Sequence, residues 1–324
     1  MLAENGDIMK SVEERSILEC CNCLQAAMYS ICKKGGVNPL YVLVNGFSIE
    51  YGKKSGDFVR EILRLNTPLD FEHYYLNACG LKMEDVSHKI ASFELLDFDN
   101  SEGILVWEDA YYCPWNEAYG KTHISHFCIA KAYDKSLDSL ICSDPYLSKE
   151  KAILPVAILQ KSQYRILEIK KAYIENKISI KNALHVLFSR IEEKEIQGNY
   201  SRLTEAILKA KDRVDLFEND NPQNCAFNIF TKQISDCYKG LALLFECIQK
   251  DEEYRSICDL LIKAKKLWQT VNFVLIRINL KSKNELSSCE ALIDILSEAE
   301  STDIEILNTI RVTIGMDGSD YELG

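Results

Sequence analysis

The period of the hydrophobic pattern changes once along this chain, near Lys170, and that change decides what the chain can fold into. Downstream, "ISIKNALHVLFSRIEEKE", "YSRLTEAILKAKDRVDLFEN", "FNIFTKQISDCYKGLALLFECIQKD", "YRSICDLLIKAKKLWQTVNFVLIRINL" and "NELSSCEALIDILSEAE" place apolar residues three and four apart. That is the spacing of helices with one buried face, so about five helices in a bundle are expected there. "ENDNPQN" (Glu218–Asn224) breaks two of them, and the final "GMDGSDYELG" is polar and expected to fray. Upstream, "YVLVNGFSIEYG", "GILVWEDAYY", "HFCIAKAYD" and "SLICSDP" are runs of branched and aromatic residues bounded by Gly, Asp, Asn and Pro, which marks strands. The last two are joined by the short hairpin connection "DKSLD". Helices are expected over Leu18–Lys34, closing on Gly35-Gly36, over Ser55–Asn66 and over Phe71–Cys79. With 324 residues the chain can bury two cores. The expectation is an α+β domain over residues 1–165 and an all-helical domain over 166–324.

Charge narrows the partners. Forty-nine acidic against 38 basic side chains give a net charge of −11. Nucleic acid is therefore disfavoured as the main partner, because phosphate binding needs a concentrated basic surface; a cationic small molecule suits such a surface better. No apolar run approaches the roughly 18–20 residues that span a bilayer, and "MLAENGDIMKSVEERS" lacks an apolar signal-peptide centre. Thirteen cysteines without an export signal read as reduced thiols, so a cytoplasmic protein without a membrane span is expected.

Four of those cysteines crowd "ECCNCLQAAMYSICKKGG", Glu19–Gly36. Zinc is disfavoured, because no second Cys/His pair follows at finger spacing and adjacent helical residues point about a hundred degrees apart. A disulfide framework is disfavoured by the compartment. Buried packing is the common fate of a free cysteine. A nucleophile needs its thiolate stabilised by a helix N-terminus and a nearby imidazole. Asn22 fits as the N-cap of a helix whose apolar face begins with Ala26, Ala27, Met28 and Ile31, which sets Cys23 in the first turn. Cys21 stays as the alternative nucleophile; Cys20 and Cys32 read as structural.

Of the five histidines, His73, His88 and His185 lie in helical or polar patterns and read as surface or packing residues. His123 and His126 open a strand, and His126 directly precedes its apolar run, where it can serve as general base and then general acid. Asp144 closes the following strand in "CSDPY", placed to orient an imidazole and stabilise its charged form.

This order, Cys on a helix, His opening a strand and Asp-Pro ending the next, resembles papain-like cysteine enzymes, above all the bacterial branch that includes peptidases cleaving double-glycine leaders. A closer resemblance is to the family of the butirosin biosynthesis H protein. There a strand of the form Asp-x-Tyr-Tyr-x-Pro-aromatic precedes the His-bearing strand, similar to "EDAYYCPWNEAY" with Asp109, Tyr111, Tyr112, Pro114 and Trp115. "ICSDPYLSKEKAILPVAIL" is similar to that family's strand-end aspartate and the stretch after it. The resemblance covers roughly residues 15–165. It implies a papain-like fold and a Cys23–His126–Asp144 triad. It further implies an acyltransferase that takes an acyl group from the phosphopantetheine thioester of an acyl or peptidyl carrier protein. The acyl group goes to an amine, such as a diamine or an aminoglycoside, in a thiotemplated natural-product pathway.

The peptidases carry a Gln about six residues before the nucleophile; here those places hold Ile17 (from Cys23) and Arg15 (from Cys21). A second oxyanion donor must come from elsewhere, with Asn22 and Gln25 as candidates. A thioester is already activated and needs less oxyanion stabilisation than an amide, which favours transfer over proteolysis. Asp109, Tyr111 and Tyr112 are substrate-binding candidates, Asp109 with the alternative of a purely structural strand residue. The helical half is expected to act as a lid or a carrier-protein docking surface, with Lys209–Arg213 and Lys263–Lys266 plus Arg277, Lys281 and Lys283 as basic candidates or as ordinary solvated faces. No metal and no bound cofactor are expected. The rival readings are a cysteine peptidase or amidase with the same triad and a non-catalytic binding protein.

Overall fold

The computed structural model describes residues 14–44, 46–51, 63–65, 76–89, 92–121, 123–172, 179–209, 226–248, 252–280 and 287–315. It mixes helix and antiparallel sheet, an α+β protein. The chain forms two compact units that interleave in sequence: residues 13–43 belong with 70–180, and residues 44–69 with 181–324. A single division at 165 is thereby corrected. The strand that begins at Arg165 is interior to the sheet of the first unit, and residues 44–69 belong with the helices.

The sheet unit carries β3 (Leu81–Asp85), β4 (Gly103–Asp109), β5 (Ser125–Asp134), β6 (Ser139–Asp144), β7 (Lys149–Pro155) and β8 (Arg165–Lys171). They are ordered β3-β8-β4-β5-β6-β7, every neighbour antiparallel. Three of these strands escape the branched-residue criterion. β3 and β7 are edges, and Lys82, Glu84, Lys149, Glu150 and Lys151 are the charges that guard an edge against further pairing. β8 interleaves charge with Ile166, Leu167 and Ile169.

Alternation along the central strands builds one core from Ile104, Val106, Cys128, Ala130, Leu140, Cys142, Leu154 and Ile166, closed by Leu159 of a short helix. Because side chains two apart share a face, the same alternation carries Glu108, His126 and Asp144 onto the end of that face. Glu108 stands directly opposite His126 in the β4–β5 register.

Before the sheet come α1 (Glu14–Leu18) and α2 (Cys23–Lys34). The helix expected from Leu18 is thus two, separated where Cys20 and Cys21 turn. α2 ends through Gly36, whose φ of 69° suits a residue without Cβ, and the Val37 amide donates to the Cys32 carbonyl at 2.9 Å. Gly103 lets α2 approach β4 closely, since a Cβ there would stand 2.7 Å from Ile31. Between the two, Pro39–Leu43 forms a 3₁₀ turn where the branched-residue pattern predicts a strand.

The helical unit contains β1 (Ile49–Tyr51) paired with β2 (Leu63–Leu65), and α5–α9 after the short α3 (Leu76–Cys79) and α4 (Val156–Leu159) of the sheet unit. These are α5 (Ile180–Ser189), α6 (Glu193–Lys209), α7 (Ala226–Ile248), α8 (Glu252–Leu280) and α9 (Ser287–Thr313). Leu63–Leu65 being a strand corrects the helix expected over Ser55–Asn66; residues 55–62 and 66 of that expectation lie outside the described residues, as do Glu218–Asn224, 71–75 and 316–324. Phe47 packs on Phe188 and Tyr238, and the Tyr51 amide donates to Asn199 Oδ1 at 3.0 Å, so the 44–51 segment is tied to the helices by core and backbone alike.

Asp303 of α9 lies wholly inside this unit and accepts from Tyr200 (2.8 Å) and Tyr238 (2.5 Å), joining α6, α7 and α9. Asp303→Ala is expected to cost about 3 kcal/mol, because each orphaned buried donor costs roughly 1–3 kcal/mol. Burial pushes the carboxyl up to about 6 against the pull of the two phenols. The folded chain therefore binds more protons here than the unfolded one between an ordinary carboxyl near about 3.9 and about 6, and loses that stabilisation as pH rises through the window. In thermal unfolding, wild type should fall relative to Asp303→Asn from about pH 4 to about pH 6 and run parallel above. A constant gap across that range would contradict the assignment.

Candidate active site

Cys23 is the first residue of α2, and the local sequence explains why the helix starts there. Asn22 Oδ1 accepts from the Gln25 amide, and Gln25 Oε1 accepts from the Asn22 amide, both at 2.9 Å, a closed capping box. Gln25 Nε2 then donates to the Val42 carbonyl at 2.8 Å and is buried. The box is satisfied by Gln25 and the helical ladder begins at Ala26, whose amide reaches the Asn22 carbonyl. The Cys23 and Leu24 amides are left as first-turn donors without an intrahelical partner. The sulfur stands at the positive end of a twelve-residue helix and is partly exposed, whereas Cys20, Cys21 and Cys32 are buried.

Two strand ends supply the rest. His126 Nε2 and Asp144 Oδ2 are 2.7 Å apart, both side chains essentially removed from solvent. The same carboxylate accepts from Trp115 Nε1 at 2.8 Å and, through Oδ1, from the Leu147 amide at 3.1 Å. The Cys23 thiol is near enough to the same imidazole to favour its charged form. With Nε2 given to Asp144, Nδ1 is the ring nitrogen left for sulfur. Burial opposes a charged imidazole, yet Asp144 first and Cys23 next outweigh it and raise His126 to about 10. Burial opposes the Asp144 charge as well, and His126, Trp115 and the Leu147 amide together hold the carboxyl below its ordinary value. The Tyr146 ring, half exposed, lies 6.4 Å from His126.

The structure thus brings together Cys23, His126 and Asp144. Cys21 is buried beside Tyr29 and is not the sulfur that His126 meets. Gln25 is corrected from oxyanion candidate to cap and brace, since both ends of its amide are engaged; Asn22 holds the cap through Oδ1. Asp109 ends β4 and spends its carboxylate on the Tyr111 amide (3.0 Å) and His123 Nδ1 (2.6 Å), a structural role. His123 stacks on Tyr111 at 4.3 Å, and Tyr112 meets both edge-on, a platform three residues before His126. Of the basic candidates, Lys263 pairs with Glu298 at 3.2 Å, while residues 210–213 and 281–283 lie outside the described residues.

Two site residues gain a role only from the fold. Trp115 stands in the sequence as one aromatic of a motif; its indole N–H is what anchors Asp144. Glu108 reads in sequence as one strand residue among several, yet it is fully buried opposite His126 and neither carboxyl oxygen has a nitrogen or oxygen donor. The signal available is a charged residue at an inward position of a strand, two after Val106.

Among the described residues no group of three or more His, Cys, Asp or Glu is arranged to hold a metal ion, and no helix is long and apolar enough to cross a membrane. No family model matches the chain, and no curated protein matches its sequence.

Dilute iodoacetamide at neutral pH should alkylate Cys23 well ahead of Cys20, Cys21 and Cys32, read by peptide mass mapping. His126→Gln and Asp144→Asn should each slow it by roughly tenfold or more, because the sulfur loses the imidazole that takes its proton, or that imidazole loses its brace. Equal rates in all three proteins would contradict the arrangement. Stability carries a second signature. The His126–Asp144 pair contributes fully between an ordinary carboxyl (about 3.9) and an ordinary imidazole (about 6.5). The contribution fades as pH rises toward about 10, and again as pH falls below the carboxylate range. The gap in thermal midpoint between wild type and Asp144→Asn should be widest in that window and close on the alkaline side.

Proposed function

We propose that this protein is a cysteine-dependent acyltransferase of papain-like type, related to the family of the butirosin biosynthesis H protein. It moves an acyl group from a carrier-protein phosphopantetheine thioester to an amine. The observation that carries the reading is the convergence of Cys23 at a capped helix N-terminus on a buried His126–Asp144 pair. The "EDAYYCPWNEAY" and "CSDPY" segments, on which the resemblance rests, supply Trp115 and Asp144 to that pair. Thirteen cysteines in the sequence suit a reducing, cytoplasmic setting.

The chemistry balances with the chain's own groups. Cys23 sulfur attacks the thioester carbonyl while the unpartnered first-turn amides of α2 face the developing oxyanion. The tetrahedral adduct expels the pantetheine thiolate, which takes the proton from the His126 imidazolium. An acyl-cysteine and a neutral imidazole remain. The amine then attacks the acyl-cysteine, His126 accepts its proton, and collapse returns the Cys23 thiolate beside an imidazolium with the amide released. Asp144, held by Trp115 and the Leu147 amide, keeps Nε2 as the donor throughout. The place of the peptidases' Gln holds Ile17, and the Gln25 amide is committed to the Val42 carbonyl. A site with backbone donors at the nucleophile suits an activated thioester better than a peptide bond.

Intact-protein mass spectrometry after mixing with an acyl-pantetheine thioester tests the reading. An acyl adduct in wild type and in Cys21→Ala, absent from Cys23→Ala, is the expected result. An adduct retained in Cys23→Ala would move the nucleophile, and ready cleavage of peptides with no adduct from thioesters would favour a peptidase instead.

A further inference from the structure

Glu108 is a wholly buried carboxyl at this site that no step of the mechanism uses. It lies directly opposite His126 across the β4–β5 pair, where facing side chains have Cβ atoms about 4.5–5.5 Å apart. Its side chain is completely buried, and neither oxygen has a nitrogen or oxygen donor. The contrast with Asp144 is chemical: that carboxylate, equally buried, accepts from an imidazole, an indole and a backbone amide. A buried carboxylate without strong donors is strongly disfavoured and carries a proton instead. The groups acting on it are His126 and the Cys128 thiol on β5, Asp144 on β6, the weakly donating Cys113 thiol in the segment after β4, and, from the next position of its own strand, Asp109. Two of these are anions and only His126 can be a cation.

We propose that Glu108 is a positioning residue that acts through His126: protonated, it leaves the imidazole to Asp144 alone, and ionised, it adds a second buried negative charge that holds the imidazolium. Burial, against the pull of the His126 charge and with the push of Asp144 and Asp109, brings the carboxyl to about 7, so both states are reached near neutrality. The coupling is reciprocal, as for any two interacting protons. Its consequence for catalysis rests on the acyl-transfer reading. His126 must take a proton from the incoming amine, and an imidazole locked as imidazolium cannot. Protonated Glu108 is the transfer-competent state; ionised Glu108 favours the imidazolium.

The test uses the full chain labelled at histidine nitrogen, without any substrate, and follows the His126 ring by NMR across pH in wild type and Glu108→Gln. Wild type is expected to show an inflection near about pH 7 as well as the alkaline one. In Glu108→Gln the neutral inflection should vanish and the alkaline midpoint drop by about one unit, a tenfold loss of proton affinity. Superimposable His126 titrations in the two proteins would overturn the proposal. If Glu108→Gln does not fold, the carbon-labelled Glu108 carboxyl in wild type decides. A midpoint near neutrality that moves together with His126 supports the coupling, and a midpoint in the ordinary carboxylate range with no response from His126 overturns it. Because no thioester is present, a failure here leaves the acyl-transfer reading standing, and a failure to form acyl-enzyme leaves this result standing.

Discussion

The site depends on one buried hydrogen bond, His126 Nε2 to Asp144 Oδ2, at the ends of two neighbouring strands. A charged pair taken out of water is costly unless its remaining lone pairs and protons are satisfied. Trp115 and the Leu147 amide meet that condition on the Asp144 side, and the Cys23 sulfur meets it on the His126 side. Antiparallel pairing of β5 with β6 brings the two strand ends together, and Gly103 lets α2 approach the sheet that carries them. Each of these features has local uses in the fold, but only their conjunction makes a thiol that can exchange a proton with an oriented imidazole.

Charge is distributed unequally around that bond. Asp144 is given three donors and stays ionised, while Glu108, facing His126 across the strand pair, is given no nitrogen or oxygen donor. Environment alone thus pushes two carboxyls on one face of one sheet in opposite directions, Asp144 below its ordinary value and Glu108 up to about 7, the general route by which a fold separates acid from base. The helical unit holds a further buried carboxyl, Asp303, where two phenols supply donors yet burial still dominates. Burial weighed against the donors each is given, more than residue type, sets the direction of all three shifts.

Much of the site was legible because its residues sit at element boundaries, where sequence signals are strongest. Asn22 just before an apolar helical face reads as an N-cap, and that places Cys23 rather than Cys21 in the first turn, as the structure has it. The His before an apolar run and the Asp before Pro145 mark strand ends in the same way. The parts that stayed hidden depend on long-range pairing. Gln25 is available in sequence as an oxyanion donor, and only the fold shows its amide spent on Val42. The charged edge strands β3 and β7 and the interior strand β8 lack a strand-like composition because partners, not propensity, order them. The same holds for residues 44–69, whose assignment to the helical unit rests on contacts such as Phe47 with Phe188 and Tyr51 with Asn199 that no local pattern encodes.

The central claim is that an acyl group on Cys23 is passed to an amine in preference to water. The most direct measurement is the partition of a preformed acyl-enzyme, isolated after acylation and then mixed with a diamine across a range of concentrations, with amide and free acid quantified by mass spectrometry. Decay that accelerates with amine concentration and yields amide, with His126→Gln abolishing the acceleration, is the expected result. Decay at a fixed rate to free acid, indifferent to the amine, would contradict transfer and leave a hydrolase.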